Sequence, residues 1–188
     1  MPYHPDIHHR QSIRLREFDY AGGGGYFVTL CAWQRECLFG DVMDGGMRVN
    51  ELGRVAGDEW LRTPMVRPNV VLDEFVVMPN HLHAIIFIKD VGAHRCAPVC
   101  GGMHDRTRAH VGAPLRREPG SLGSIIAGFK SAVTKRINAM RDNPGGPVWQ
   151  RNYYEHVIRD ERDLHAIRQY ITDNPAKWEL DANHPARL

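Results

Sequence analysis

Phe75-Val76-Val77-Met78-Pro79-Asn80-His81-Leu82-His83-Ala84-Ile85-Ile86-Phe87-Ile88 decides the fold of this chain, because β-type apolar sequence lies on both sides of a Pro-Asn turn and is interrupted by two imidazoles. Val70 to Val77 and His81 to Ile88 read as the two strands of a hairpin, joined through Met78-Pro79-Asn80. Side chains alternate faces along a strand, so His81 and His83 point to one side, roughly 6 to 7 Å apart along it. Two neutral imidazoles at that spacing can share one divalent ion, and apolar surroundings favour the neutral form that binds metal. Either histidine alone reads more readily as a hydrogen-bonded core residue. The pair points to a site.

Upstream, residues 1 to 20 mix His and Arg with isolated apolar residues and read as an N-terminal arm. Gly22 to Gly25 form a turn before Tyr26-Phe27-Val28-Thr29-Leu30-Cys31-Ala32, whose β-branched and aromatic residues predict the first strand. Trp33 to Phe39 leads into a hairpin closed around Asp44-Gly45-Gly46. Asn50 is a good N-cap, and Leu52, Val55, Ala56, Trp60 and Leu61 follow at helical spacing until Pro64 ends the run.

Downstream, residues 90 to 119 hold many Gly and Pro with five arginines, and read as a mobile basic loop. Within it His94, Cys96, Cys100 and His104 offer zinc-ligand chemistry, at a spacing that fits no standard pair-of-pairs pattern. Ser121 caps a helix from Leu122 to about Met140, with Leu122, Ile125, Ile126, Phe129, Val133 and Ile137 along one apolar stripe. The breakers at 141–147 precede an aromatic strand, Val148 to Ile158. Asp160 then begins a helix that runs to about Asn174, where Pro175 marks its end before a short tail anchored by Trp178. With arm and loop set aside, the order is strand, helix, strand, strand, helix, strand, helix. That predicts an α+β fold, a ferredoxin-like split β-α-β antiparallel sheet with an extra C-terminal helix, as one domain over 1–188.

The composition sets bounds. A chain of 188 residues can bury one sizeable core. Its formal charge of +2 and isoelectric point near 8.4 are too mild to argue for nucleic acid by themselves. No apolar run approaches a membrane span, and Met1 to Arg16 lacks a signal-peptide core, so the expectation is a cytoplasmic protein without membrane contact. The four cysteines show none of the spacing of a disulfide scaffold.

The last helix holds the other informative spacing. Tyr170 and Asn174, four residues apart, project together from one face. Taken alone they read as amphipathic packing and a C-terminal turn residue. Beside the His pair, Asn174 offers an oxygen as third ligand to an ion on His81 and His83, and Tyr170 stands one turn away, placed to attack what the metal polarises.

Val77-Met78-Pro79-Asn80-His81-Leu82-His83, the helix from Ser121 to Ser131, Trp149-Gln150-Arg151-Asn152-Tyr153-Tyr154-Glu155-His156-Val157-Ile158-Arg159, and Tyr170-Ile171-Thr172-Asp173-Asn174-Pro175 together resemble the REP-associated tyrosine transposases. These are single-tyrosine members of the HUH endonuclease superfamily. The resemblance runs from about Ile13 to Trp178. It implies that His81, His83 and Asn174 hold Mg²⁺ or Mn²⁺. It further implies that Tyr170 is the nucleophile that cuts and rejoins single-stranded DNA beside palindromic hairpins through a 5′-phosphotyrosine, in a nucleoid-associated monomer or homodimer. Related insertion-element enzymes often carry glutamine where Asn174 stands, so the shorter asparagine requires a helix closer to the sheet.

Arg151, Arg159, Arg168, Lys130 and Lys135 are the candidate phosphate contacts, each of which reads equally as part of a solvated basic face. Tyr153, Tyr154 and Trp149 are candidate stacking residues, and Tyr153 or Tyr154 is the rival nucleophile. Two other functions fit the same residues: a non-catalytic binder of palindromic DNA or RNA hairpins, and a zinc hydrolase. The second lacks a third histidine or a carboxylate in any recognisable motif.

Overall fold

The computed structural model describes residues 23–89 and 120–187. The N-terminal arm and the basic loop with its His94, Cys96, Cys100 and His104 lie outside the described residues.

Strand β1 (Gly24–Cys31) is followed by a hairpin of β2 (Gly40–Met43) and β3 (Gly46–Val49), then helix α1 (Glu51–Leu61) and the short helix α2 (Thr63–Val66). Strands β4 (Val70–Met78) and β5 (His81–Ile88) form the second hairpin. Helix α3 (Leu122–Met140), strand β6 (Tyr154–Ile158) and helix α4 (Glu161–Asp173) complete the order. The main sheet runs β4-β5-β1-β6 with every neighbouring pair antiparallel. This is the split β-α-β order expected from the sequence.

Local chemistry sets the ends of the elements. Asn50 Oδ1 accepts the Gly53 N–H at 2.9 Å, Ser121 Oγ the Ser124 N–H at 3.3 Å, and Asp160 Oδ1 the Asp163 N–H at 2.8 Å. Each cap satisfies a first-turn donor that has no partner inside its helix. In the β2–β3 turn Asp44 and Gly45 both take positive φ, 53° and 72°, as a two-residue primed turn demands.

Two sequence expectations are corrected. Pro64 does not close the helical run but opens α2, since proline is tolerated in a first turn where its missing N–H costs nothing. The aromatic strand begins only at Tyr154. Before it Trp149 makes an isolated bridge with Ala32, and the carbonyls of Gln150 and Asn152 both accept from Lys130 Nζ (2.8 and 2.9 Å) instead of joining a ladder.

Alternation along the central strands divides the molecule into two faces. Tyr26, Val28 and Leu30 of β1 and Leu82, Ala84, Ile86 and Ile88 of β5 enter the large core with Trp60 of α1 and Ile126, Phe129 and Val133 of α3. Phe27 and Ile85 enter a smaller one on the other face, where Ile171, Ile167 and Leu164 of α4 pack. The odd-numbered register that sends Phe27 and Ile85 toward α4 sends His81, His83 and Thr29 there too. In the register Thr29 stands opposite both His83 and Tyr154.

Candidate metal centre and nucleophile

His81 and His83 are 0% and 2% exposed, and their rings converge to 4.3 Å between centroids at 70°, closer than the strand repeat alone gives. The partners of each ring determine where its lone pair lies. Asn80 Nδ2 donates to the carbonyls of Arg35 (3.1 Å) and Asn183 (2.7 Å), so its Oδ1 is the acceptor facing His81 Nδ1 at 2.8 Å. His81 therefore carries its proton on Nδ1 and its lone pair on Nε2, which is buried without a hydrogen-bond partner among the described residues. In His83, Nδ1 lies 2.8 Å from Thr29 Oγ1 and Nε2 lies 3.2 Å from the Tyr170 hydroxyl. Burial holds both rings below the usual histidine range, His81 well below, and the neighbouring His83 adds to the effect at His81. Neutral imidazoles are the metal-binding form.

The tail following α4 supplies a carboxylate that the sequence reading missed. Pro175–Leu180 continues as a 3₁₀ helix, and Trp178 seats it with its ring 5.9 Å from that of His81. Asp181 then turns inward, with Oδ2 4.0 Å from His81 Nε2 and 3.9 Å from His83 Nε2. It accepts from Asn174 Nδ2 at 3.0 Å and from the Asn183 N–H. Burial pushes the Asp181 carboxyl up, but His83, the Asn183 N–H and the Asn174 amide outweigh it and hold the group well below the usual carboxylate range. One ligand atom from each of His81, His83 and Asp181 lies within 4.8 Å of the others.

Asn174, at the end of α4, is 3% exposed. Its Nδ2 is committed to Asp181, and its Oδ1 too is buried without a hydrogen-bond partner among the described residues. Two buried lone pairs with no proton to accept, His81 Nε2 and Asn174 Oδ1, beside a buried carboxylate and a second imidazole, are what a divalent cation would satisfy. The residues present thus fit such an ion.

Tyr170 is 45% exposed, and its ring stands edge-on to Phe27 at 5.9 Å. Desolvation first, and then the Asp181 charge, push its phenol up to about 12. The Tyr170 O–H donates to His83 Nε2 when the ring carries its proton on Nδ1 toward Thr29, and accepts from Nε2 in the other tautomer. Tyr154, one of the rivals, lies beyond Phe27 on the sheet with its ring 6.3 Å from that of Phe27. Tyr153 packs with the large core and lies under Lys130 Nζ at 5.6 Å from its ring centre.

The candidate phosphate contacts fall into three places. Lys130, Lys135 and Arg151 line one cavity of about 790 Å³ between α3 and residues 142–151. Arg159 is exposed at the start of the α4 turn. Arg168 is bound in bidentate fashion to Asp73 (Nε to Oδ1 2.8 Å, Nη2 to Oδ2 2.5 Å), where β4 departs from its regular register between Leu72 and Phe75. Its guanidinium ties α4 to the sheet.

Sequence reasoning also missed Thr29 and Asn80, the hydrogen-bond partners of the two rings, of which Asn80 fixes the His81 tautomer. Neither carries a spacing signal, because both reach the histidines through strand register and turn geometry.

Fold and site together define an α+β protein of ferredoxin-like topology whose C-terminal helix sets a tyrosine beside a His, His and Asp cluster. The chain is 42% identical over 179 residues to an uncharacterized protein of Haemophilus influenzae, a match spanning 95% of each chain, and it belongs to that protein's family. Among solved structures, a REP-associated tyrosine transposase bound to a REP hairpin is similar with a TM-score of 0.57 and 18% identity, over 89% of this chain and 74% of that one. At this identity the likeness shows a shared fold. A transposase-like protein of Deinococcus radiodurans aligns with a TM-score of 0.43 and 16% identity, over 86% of this chain and 97% of that one. No protein-family model matches the chain. Among the described residues no helix is long and apolar enough to cross a membrane.

Proposed function

We propose that this protein is a divalent-metal-dependent single-strand DNA endonuclease and strand transferase that cuts beside palindromic hairpins, with Tyr170 as nucleophile. The observation that carries the reading is the Tyr170 hydroxyl 3.2 Å from Nε2 of a histidine that shares a buried cluster with His81 and Asp181. His81, His83 and Asp181 would hold the ion, with Asn174 Oδ1 as a further oxygen ligand. Two imidazoles and two oxygens suit Mn²⁺, and Mg²⁺ less well because it prefers all-oxygen shells. When bound, the ion supplies Lewis-acid polarisation of a phosphodiester and offsets the Asp181 charge that disfavours the phenolate.

The chain's own residues do the rest. Phe27 and the packing of α4 orient the Tyr170 ring, removing much of the entropic cost of attack. A bond forms from Tyr170 Oη to phosphorus, the bond from phosphorus to the 3′ oxygen breaks, the phenol proton is lost and the 3′ oxygen gains one. The 5′-phosphotyrosine retains the bond energy of the phosphodiester, so a 3′-hydroxyl can reverse the attack and rejoin the strand. The packing of α4 on its own sheet, reinforced by Arg168 and Asp73, supports a tyrosine that acts in cis within a monomer.

Incubation with end-labelled single-stranded DNA carrying the palindromes that flank its coding region, in Mn²⁺ or Mg²⁺, is expected to give a covalent adduct on a denaturing gel. Tyr170→Phe is expected to give none; undiminished adduct in that variant rejects the assignment.

A non-catalytic hairpin binder is the second reading, favoured by the basic cavity of Lys130, Lys135 and Arg151, which stands apart from the cluster. Tight, salt-dependent hairpin binding that is indifferent to EDTA and to His81→Ala, with no cleavage, would select it.

A further inference from the structure

We infer that the cavity in front of Tyr170 is a subsite for one unpaired nucleobase, the base flanking the phosphate that Tyr170 attacks, with Tyr154 as stacking platform and Gln150 and Asn152 reading the base edge. The inference deepens the function proposed above and rests on its reading that single-stranded DNA is the substrate.

A cavity of about 540 Å³ opens between α4, β1 and residues 150–154, lined among others by Phe27, His83, Tyr170, Tyr154, Gln150 and Asn152. That volume lies within the range of small-ligand sites and is ample for one base with its sugar. Two phenol rings stand edge-on to Phe27, Tyr170 at 87° and Tyr154 at 68°, so Phe27 forms a floor with an aromatic side chain on each flank. Tyr154 is 50% exposed although it sits in a strand of the main sheet. An exposed ring beside a concave, half-apolar wall is the arrangement on which an unpaired base stacks.

The polar part of the wall is built independently. Lys130 Nζ grips the carbonyls of both Gln150 and Asn152, which keeps this short segment off the ladder and fixes its course along the cavity. Among the described residues no hydrogen bond engages the side-chain amide of Gln150 or of Asn152. A carboxamide offers a donor and an acceptor side by side and can pair in bidentate fashion with the edge of a base. Tyr170 and His83 themselves line the cavity, so a base held there places its own phosphate beside the nucleophile.

The test uses binding in the Tyr170→Phe protein, which keeps the ring but cannot cleave, and so is separate from the adduct assay. Fluorescence anisotropy is measured with single-stranded hairpin oligonucleotides in which each nucleotide flanking the hairpin is replaced in turn by an abasic one. One position is expected to show a loss of roughly 5- to 150-fold, the worth of a single base stacked on an aromatic ring. Adding Tyr154→Leu should abolish that position's effect, while Tyr154→Phe should preserve it. Adding Gln150→Ala with Asn152→Ala should leave the abasic penalty and flatten the preference among the four bases at that position. Equal abasic penalties with and without Tyr154→Leu, or no sensitive position at all, overturn the subsite. An unchanged base preference in the double-alanine protein overturns the role of the amides. A missing adduct in the parent protein together with an intact position-specific penalty would reject the nuclease and keep the subsite.

Discussion

Asp181→Asn isolates the residue that brings a negative charge to the centre. Asparagine keeps the shape: its Oδ1 can still accept from the Asn183 N–H, and its Nδ2, standing where Asp181 Oδ2 accepts from Asn174, can donate to the Asn174 amide once that amide turns its oxygen round, so the tail should remain seated. What changes is one unit of negative charge about 4 Å from the two neutral imidazole nitrogens that would share the cation. Against a single unit of the cation's charge at about 4 Å, that carboxylate is worth about 4 kcal/mol at an effective dielectric of ~20. Desolvation of the carboxylate offsets part of this, leaving about 2 kcal/mol, or roughly 30-fold in Mn²⁺ affinity. Mn²⁺ at about 100 times its dissociation constant should stabilise the parent protein by about 2.7 kcal/mol. For a chain of this size that raises the melting temperature by ~5–10 °C. At the same concentration Asp181→Asn should gain about 0.9 kcal/mol, or ~2–4 °C. Thermal unfolding with and without Mn²⁺, backed by calorimetric titration of Mn²⁺ alone, reads both quantities. Affinities within twofold of each other would remove Asp181 from the centre, and a parent protein unmoved by Mn²⁺ would remove the centre itself.

Tyr170→Phe should bind Mn²⁺ at least as tightly as the parent, because the lost hydroxyl competes for the His83 Nε2 lone pair; weaker binding by calorimetry would place the phenol among the ligands. The metal-free protein should lose stability as pH falls below about 6.5. Both buried rings are held below the usual histidine range, so below 6.5 the unfolded chain binds more protons, at up to about 1.4 kcal/mol per pH unit per histidine. Urea midpoints between pH 5 and 8 should show that slope, and His81→Gln should flatten it; a parent midpoint independent of pH would contradict neutral buried rings. Asp73→Ala should lower the rate of adduct formation more than oligonucleotide affinity, by about tenfold or more, since misplacement of a reacting group by ~1 Å costs up to ~10²-fold. The exchange of Asp73 and Arg168 for one another should restore part of the rate, whereas a matching fall in affinity and rate would make Arg168 a DNA contact instead.

Element type was legible from local patterns. Runs of β-branched, aromatic and apolar residues bounded by turn signals gave away β1, β4 and β5, 3.6-residue periodicity with Asn50, Ser121 and Asp160 caps gave away the helices, and the order of elements gave the split β-α-β sheet. The strand at 148–158 was read too long because aromatic content alone cannot show where carbonyls leave the ladder, a choice made here by Lys130 from another element.

By itself the sequence determined that His81 and His83 share one face of a strand and that Tyr170 and Asn174 share one face of a helix, because strand and helix periods are local properties of the backbone. That these faces meet, that Asp181 joins them from the tail, and that Thr29 and Asn80 hold the two rings was decided only in three dimensions. The physical reason is that such contacts depend on sheet order, strand register and the course of the chain after Pro175. Those are settled by burying Phe27 and Ile85 against Ile171 on one face and the large core on the other, and no short-range spacing encodes that packing.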